Sequence, residues 1–279
     1  MNGKKNEKLE SDYIYIEDTK KAKRIVIKIG SSSLTHSTGK LNLKKIEILV
    51  KTISDLSNAG KEIILVTSGA VSAGAAKLGM KIPLDKDKIG DTKAAAAVGQ
   101  AELMNIYDRF FLSFGIKIAQ VLLTRDVIED ESRRKEAEET FAVLLNLSCV
   151  PIVNENDAVS SEEIKFSGND ILSAYVSKLC KADLVINLSD RDGLYDKNPA
   201  EFKDAKIIHC VKEITPEILS YAGGAGSSRG TGGMITKLHA AWMIVEDNTP
   251  TVIANAKNPE ILYDILDGKI SGTYIGNDE

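Results

Sequence analysis

Cysteine and histidine are scarce in this chain, neither charge sign dominates, and no long apolar run occurs. Each absence removes a class of protein. Cys149, Cys180 and Cys210 are odd in number and far apart in sequence, which fits neither a disulfide framework nor a zinc knuckle. They read as structural thiols. His36, His209 and His239 are equally scattered and stand in no metal-ligand spacing. No residue is therefore assigned to a metal, and the chemistry is not expected to turn on histidine. The net charge of −4 over 279 residues gives no footing for nucleic acid as a partner. No segment approaches the ~20 apolar residues that a membrane helix needs, and the first 22 residues mix both charge signs without the apolar stretch of a signal peptide. A cytoplasmic protein with no membrane partner is expected.

What is present is enough for a large core. Hydrophobic residues make up 43% of the chain and charged residues 27%, as in a globular protein of one large domain or two lobes. Residues 1–22 read as a flexible or partly ordered extension. After them, short β-branched runs alternate with helical patterns. "RIVIKI" (24–29), "EIILVT" (62–67), "IKIAQVLL" (116–123), "VPIV" (150–153), "LVINLS" (184–189) and "TVIA" (251–254) are strand candidates. Helical stretches fall at 43–58, 93–113, 132–147, 171–179 and 234–247. Several strands are apolar almost throughout, as parallel strands covered on both faces are. The expectation is an α/β fold, an open and mainly parallel sheet sandwiched between helices.

Ligands of such sheets collect where strands end at their C-termini, so the loops after the strands matter most. "KIGSSS", "TSGAVSAG", "NENDAVS" and "SDRDGLYDKNP" follow four of the strands, all with small or acidic polar residues. Each alone could be ordinary turn chemistry; the recurrence at one edge points to a site. Lys28 lies in a strand of Ile and Val, where it must reach an anion or snorkel to solvent. Gly30 and Ser31 to Ser33 could form a nest of backbone amides facing a phosphate. Ser68-Gly69-Ala70 opens a helix, which suits an anion, or Ser68 is simply an N-cap. "NENDAVS", from Asn154 to Ser160, offers carboxylates and amides in the density that a small zwitterion would need. Asn169 and Asp170 open another helix, with N-capping as the plain alternative. "GTGGMITK" matches neither the phosphate-loop nor the dinucleotide spacing. Its glycines could still let helix-start amides wrap phosphate oxygens, with Lys237 pointing back toward that end; a ligand-free loop with a surface lysine is the competing account.

In order, "VIKIGSSSL", "LVTSGAVSAG", "AAAAVGQ", "LLTRDVIED", "PIVNENDAVS", "NDILSA", "SDRDGLYDKNP" and "GTGGMITKLHAA" closely resemble the glutamate 5-kinases of the amino acid kinase family, over roughly residues 24–272. The resemblance implies the amino acid kinase fold, with residues 23–165 mainly a glutamate-binding lobe and 166–279 mainly an ATP-binding lobe. It implies ATP-dependent phosphorylation of the γ-carboxylate of L-glutamate, the first step toward proline, with Mg²⁺ held mainly by the phosphates of ATP. Carried over by motif, Lys28, Lys237 and Asp170 would be catalytic, the lysines on the transferring phosphate and Asp170 organising them. Ser68, Gly69, Asn154, Asp157 and Asn169 would hold glutamate. Lys28, Ser189, Asp190, Thr231, Gly232, Gly233, Met234, Ile235, Thr236 and Lys237 would line the ATP site. Proline as feedback inhibitor, a dimer or tetramer, and transient hand-over of the acyl phosphate to a reductase are further implications.

Two features depart from the family pattern. Members usually carry Gly-Asp-Asn-Asp where this chain has Ser167-Gly168-Asn169-Asp170. An acid thought to help recognise glutamate is missing, so weaker glutamate binding is expected, restored by Gly168→Asp. Many members also continue into a small RNA-binding-like (PUA) domain, for which this sequence has no room. The competing readings are a sister kinase acting on N-acetylglutamate, aspartate, carbamate or UMP, and a non-catalytic proline or nucleotide sensor. Both lysines and Asp170 weigh against the sensor, and "NENDAV" favours free glutamate.

Overall fold

The β-branched runs become neighbours in one sheet. A computed structural model describes residues 13–276 apart from 83, 86–87, 162–165, 167 and 223–232. Among the described residues the main sheet comprises β1 (Arg24–Ile29), β2 (Glu62–Val66), β3 (Lys117–Leu123), β4 (Cys149–Glu155), β5 (Leu184–Ser189), β6 (Cys210–Val211), β7 (Thr251–Asn255) and β8 (Thr273–Ile275). Their spatial order is β3-β4-β2-β1-β5-β7-β8-β6. From β3 to β7 every neighbouring pair is parallel, and β8 runs antiparallel to β7. The chain builds outward from β1 on one side and returns to place β5 on the other. The ends of β1 and β5 thus form the switch point where open α/β sheets bind ligands.

Side chains alternate across the sheet, and that alternation makes two cores. Ile25, Ile27 and Ile29 of β1, with Leu65, Ile152 and Ile186, face the helices α1 (Leu43–Asn58), α3 (Ile89–Ser113) and α7 (Ile261–Leu266). Val26, Ile64, Val66, Val153 and Val185 face α4 (Glu131–Asn146), α5 (Asn169–Cys180) and α6 (Met234–Val245). Because both faces are covered, the strands are apolar almost throughout. The same argument places any polar residue in β1 or β5 under helices.

A further helix, α2 (Ala70–Lys77), crosses α3 at very close range. A Cβ on Gly74 would lie 1.8 Å from the Ala95 carbonyl oxygen, and one on Gly99 would lie 1.8 Å from that of Ala70. The two glycines, with the alanines around them, set how far α2 approaches α3 and so where its N-terminus stands. Residues 13–22 are packed on the domain: Ile14–Tyr15 pair antiparallel with Lys269–Ile270, and Ile16 and Thr19 are buried. The mixed charges of the first 22 residues conceal that contact, which among residues 13–22 is carried inward by Ile14, Ile16, Thr19 and Ala22.

Candidate active site

Alternation along β1 decides the fate of Lys28. It shares a face with Val26, beneath α5 and α6, and is only 5% exposed. An unpaired ammonium in that position would be very costly. Asp170 meets it, with 2.6 Å between Nζ and Oδ1. Asp170 stands in the first turn of α5, where the helix dipole favours a carboxylate. Lys237 stands in the first turn of α6, its long side chain reaching the other oxygen at 3.0 Å. Two cations from opposite halves of the chain thus share one buried carboxylate, and the three groups carry a formal charge of +1.

Two uncharged donors complete the cluster. Asn187 of β5 is the register partner of Lys28, and its Nδ2 donates to Asp170 Oδ1 at 2.7 Å. The Thr236 hydroxyl lies 3.4 Å from Oδ2. Burial pushes the Asp170 carboxyl upward, but the charges of Lys28 and Lys237 and the hydrogen bonds from Lys28 and Asn187 outweigh it and hold the group below its usual range. Burial also lowers Lys28 below the ordinary lysine value, an effect that Asp170 opposes and Lys237 reinforces.

The cluster lies on a cavity of about 640 Å³ at the C-terminal ends of β1, β2, β4 and β5. Of the residues that the sequence singles out, Lys28, Ser68, Gly69, Asn154, Asp157, Asn169, Asp170, Ser189, Asp190 and Lys237 all line it. Gly69 opens α2 with φ of 100°, a left-handed geometry that a glycine adopts without strain. Ser31 and Ser32 line the cavity from a one-turn helix, Ser31–Leu34, that starts just after Gly30. Gly233 is the N-cap of α6. Met234 packs against the apolar cluster of Leu238 and Ala241. Neither Met234 nor Ile235 lines the cavity. Thr231 and Gly232 lie outside the described residues.

One wall is held by a chain of amides. Asn154 is 2% exposed. Its Nδ2 donates to Gln100 Oε1 at 2.9 Å, and its Oδ1 accepts from the Glu155 backbone and from Asn169 Nδ2. Asn169 Nδ2 also approaches the Thr67 carbonyl at 2.5 Å and Ser68 Oγ at 2.8 Å. Asn154 thus helps order the wall while still lining the cavity, and Asn169 ties the end of β2 to the start of α5. Gln100 and Asn187 escape a reading by motif. The signal existed: each is a lone polar residue at a position whose helical or strand period points inward.

Gly168 departs from what the sequence suggests. Its φ of 110° and ψ of 162° belong to a region essentially reserved for glycine, although a Cβ there would meet nothing within 4 Å. Space for an acid exists, but the backbone does not suit one. Gly168→Asp would therefore carry backbone strain alongside any gain in glutamate affinity.

Residues 23–255 match the model of the amino acid kinase family. The chain belongs to the amino acid kinase family. Among members of that family it is 50% identical to the glutamate 5-kinase of Clostridium perfringens over 91% of this chain and 95% of that protein. It is 48% identical to the glutamate 5-kinase of Enterococcus faecalis over 90% and 94%. The amino acid kinase fold is also seen in the solved structure of carbamate kinase from Giardia lamblia bound to AMP-PNP, with a TM-score of 0.64 at 14% identity, covering 93% of this chain and 100% of that one. The cavity, the paired lysines and the small-residue turns are thus features of a member of this family.

Proposed function

We propose that this chain is an ATP-dependent kinase of L-glutamate, forming L-glutamyl 5-phosphate and ADP as the first step toward proline. The observation that carries the reading is Asp170 bridging Lys28 and Lys237 on the wall of the cavity. It is supported by the glutamate 5-kinases that the chain resembles over nine-tenths of its length.

A glutamate side chain has a pKa near ~4.3 and is ionised at neutral pH. The nucleophile needs no general base. The barrier is repulsion between two anions, and fixed cations offset it where charge builds. Lys28 and Lys237 would contact the transferring phosphate, with Asp170 keeping both ammonium groups in place. Ser68, Gly69, Asp157 and Asn169 would hold glutamate, with Asn154 ordering them. Ser189, Asp190, the α6 start and the segment before it would hold ATP. Both Asp170 oxygens are engaged by lysines, so it would serve as an anchor for these cations. Mg²⁺ would arrive on the nucleotide phosphates and neutralise part of their charge.

Proline as an inhibitor overlapping the glutamate pocket, assembly into dimers or tetramers, a cytoplasmic location and hand-over of the acyl phosphate to a reductase accompany this reading. The test is glutamate-dependent ADP release together with trapping of the acyl phosphate by hydroxylamine as a hydroxamate. N-acetylglutamate, aspartate, carbamate and UMP serve as competing acceptors. Activity with one of these and none with glutamate would overturn the assignment.

A further inference from the structure

We infer that Asn187 is a positioning residue whose amide is a third donor that fixes the Asp170 carboxylate between the two lysines. The inference rests on the proposed kinase reading. Asn187 sits in the middle of β5, flanked by Val185, Ile186 and Leu188, all buried and apolar. Asparagine is disfavoured in strands, and this one is 4% exposed. Its two amide ends are used unequally. Nδ2 donates to Asp170 Oδ1 at 2.7 Å, whereas Oδ1 is buried without a hydrogen-bond partner among the described residues. A buried carbonyl oxygen left without a donor destabilises the fold. A residue kept for stability would be apolar here, like its neighbours, so the side chain is explained by what its amide does for Asp170.

The geometry says what that is. Lys28 and Asn187 are adjacent in register on β1 and β5, and both meet Oδ1. Two donors from neighbouring strands hold that oxygen, which leaves Oδ2 directed at Lys237 and Thr236. With Lys28 alone, the carboxylate could rotate about its Cβ–Cγ bond and release Lys237. The charged groups facing Asp170 are Lys28 from β1 and Lys237 from α6, with Asp190 acting on Lys28 at longer range. The hydrogen bond from Asn187 is one of the causes that keep the Asp170 carboxyl low.

Asn187→Leu removes both amide ends and keeps four side-chain heavy atoms branched at Cγ, with greater bulk, and Asn187→Asp keeps the shape but sets a second carboxyl against Asp170. Wild type and both variants are compared by glutamate-dependent ADP release across pH and by thermal unfolding. The expected order of kcat is wild type, then Leu about tenfold lower, then Asp lower still. The Michaelis constants for glutamate and ATP stay within about twofold, because the effect falls on groups that act in the transition state. Thermal stability of the Leu variant at neutral pH is unchanged or higher, while its acid unfolding midpoint moves to higher pH. A structural role predicts the reverse: lower thermal stability, with kcat and the acid limb unmoved. That result, or a Leu variant indistinguishable from wild type, overturns the inference. If wild type itself lacks activity toward glutamate, the kinase reading fails instead, and the unfolding data still decide whether Asn187 serves Asp170 or the core.

Discussion

Asp170→Asn separates two explanations of the site that both invoke positive charge. The substitution raises the formal charge of the cluster from +1 to +2 with little change in shape. If net charge alone drove phosphoryl transfer, the variant would bind ATP more tightly and turn over at least as fast. If placement of the ammonium groups matters, it turns over slowly. At 2.6 and 3.0 Å and an effective dielectric of ~20, each ammonium–carboxylate attraction is about 6 kcal/mol before desolvation is counted. Removing the anion leaves two buried cations repelling each other, a loss of about 3–5 kcal/mol of stability by analogy with other broken buried pairs. An asparagine can accept from one lysine through Oδ1, but it presents an N–H to the other. One ammonium group therefore moves, and a displacement of ~1 Å costs about 10²-fold in rate. The expected outcome is kcat lower by ~10²- to 10³-fold with the Michaelis constant for ATP unchanged or reduced.

The pH dependence of that variant carries a second sign. Asp170 is held low in the fold, so its contribution to wild-type stability is present above ~3.9 and is lost as pH falls through the lower folded value. The variant has no such acid-sensitive contribution. Lys28 in the variant keeps the burial that lowers its pKa and loses the carboxylate that opposes it, so stability there rises with pH as Lys28 discharges. Thermal unfolding from pH 6 to 10 reads this directly. A variant with near-wild-type kcat and a flat stability profile would refute the anchoring role.

Lys237→Ala removes one cation from the transferring group; a charge ~4 Å away is worth about 4 kcal/mol at a dielectric of ~20, so kcat is expected to fall ~10²- to 10³-fold while circular dichroism stays native. Gly99→Ala drives a methyl group into the Ala70 carbonyl and is expected to lower stability by roughly 1–3 kcal/mol; because α2 is pushed outward, the Michaelis constant for glutamate rises with it, and calorimetry with steady-state kinetics checks both. Gly168→Ala and Gly168→Asp should each lose about 1–3 kcal/mol to backbone strain. The difference between them in glutamate affinity isolates the carboxylate, and equal Michaelis constants would mean the missing acid is not needed in this loop.

The period of the apolar residues was sufficient to read the layers. "RIVIKI" and "LVINLS" announce buried parallel strands, and the helices at Leu43–Asn58 and Glu131–Asn146 begin within a residue of where their patterns start. Short pieces were not legible. The one-turn helix at Ser31–Leu34 and the strand Thr273–Ile275 are too brief to complete a period, and tertiary contacts hold them. The site was legible as a set of loops because small, polar and acidic residues recur after four strands.

Composition and spacing by themselves determined that Lys28 must reach an anion or snorkel to solvent, because an ammonium in an apolar strand covered on both faces cannot stay there unpaired. They could not say which anion, since Asp170 is 142 residues away and its place in the first turn of α5 is equally that of an ordinary helix start. Only the tertiary structure decided that Lys28, Asn187, Thr236 and Lys237 converge on one carboxylate. Strand register and helix packing set those distances, and both arise from contacts between segments remote in the chain.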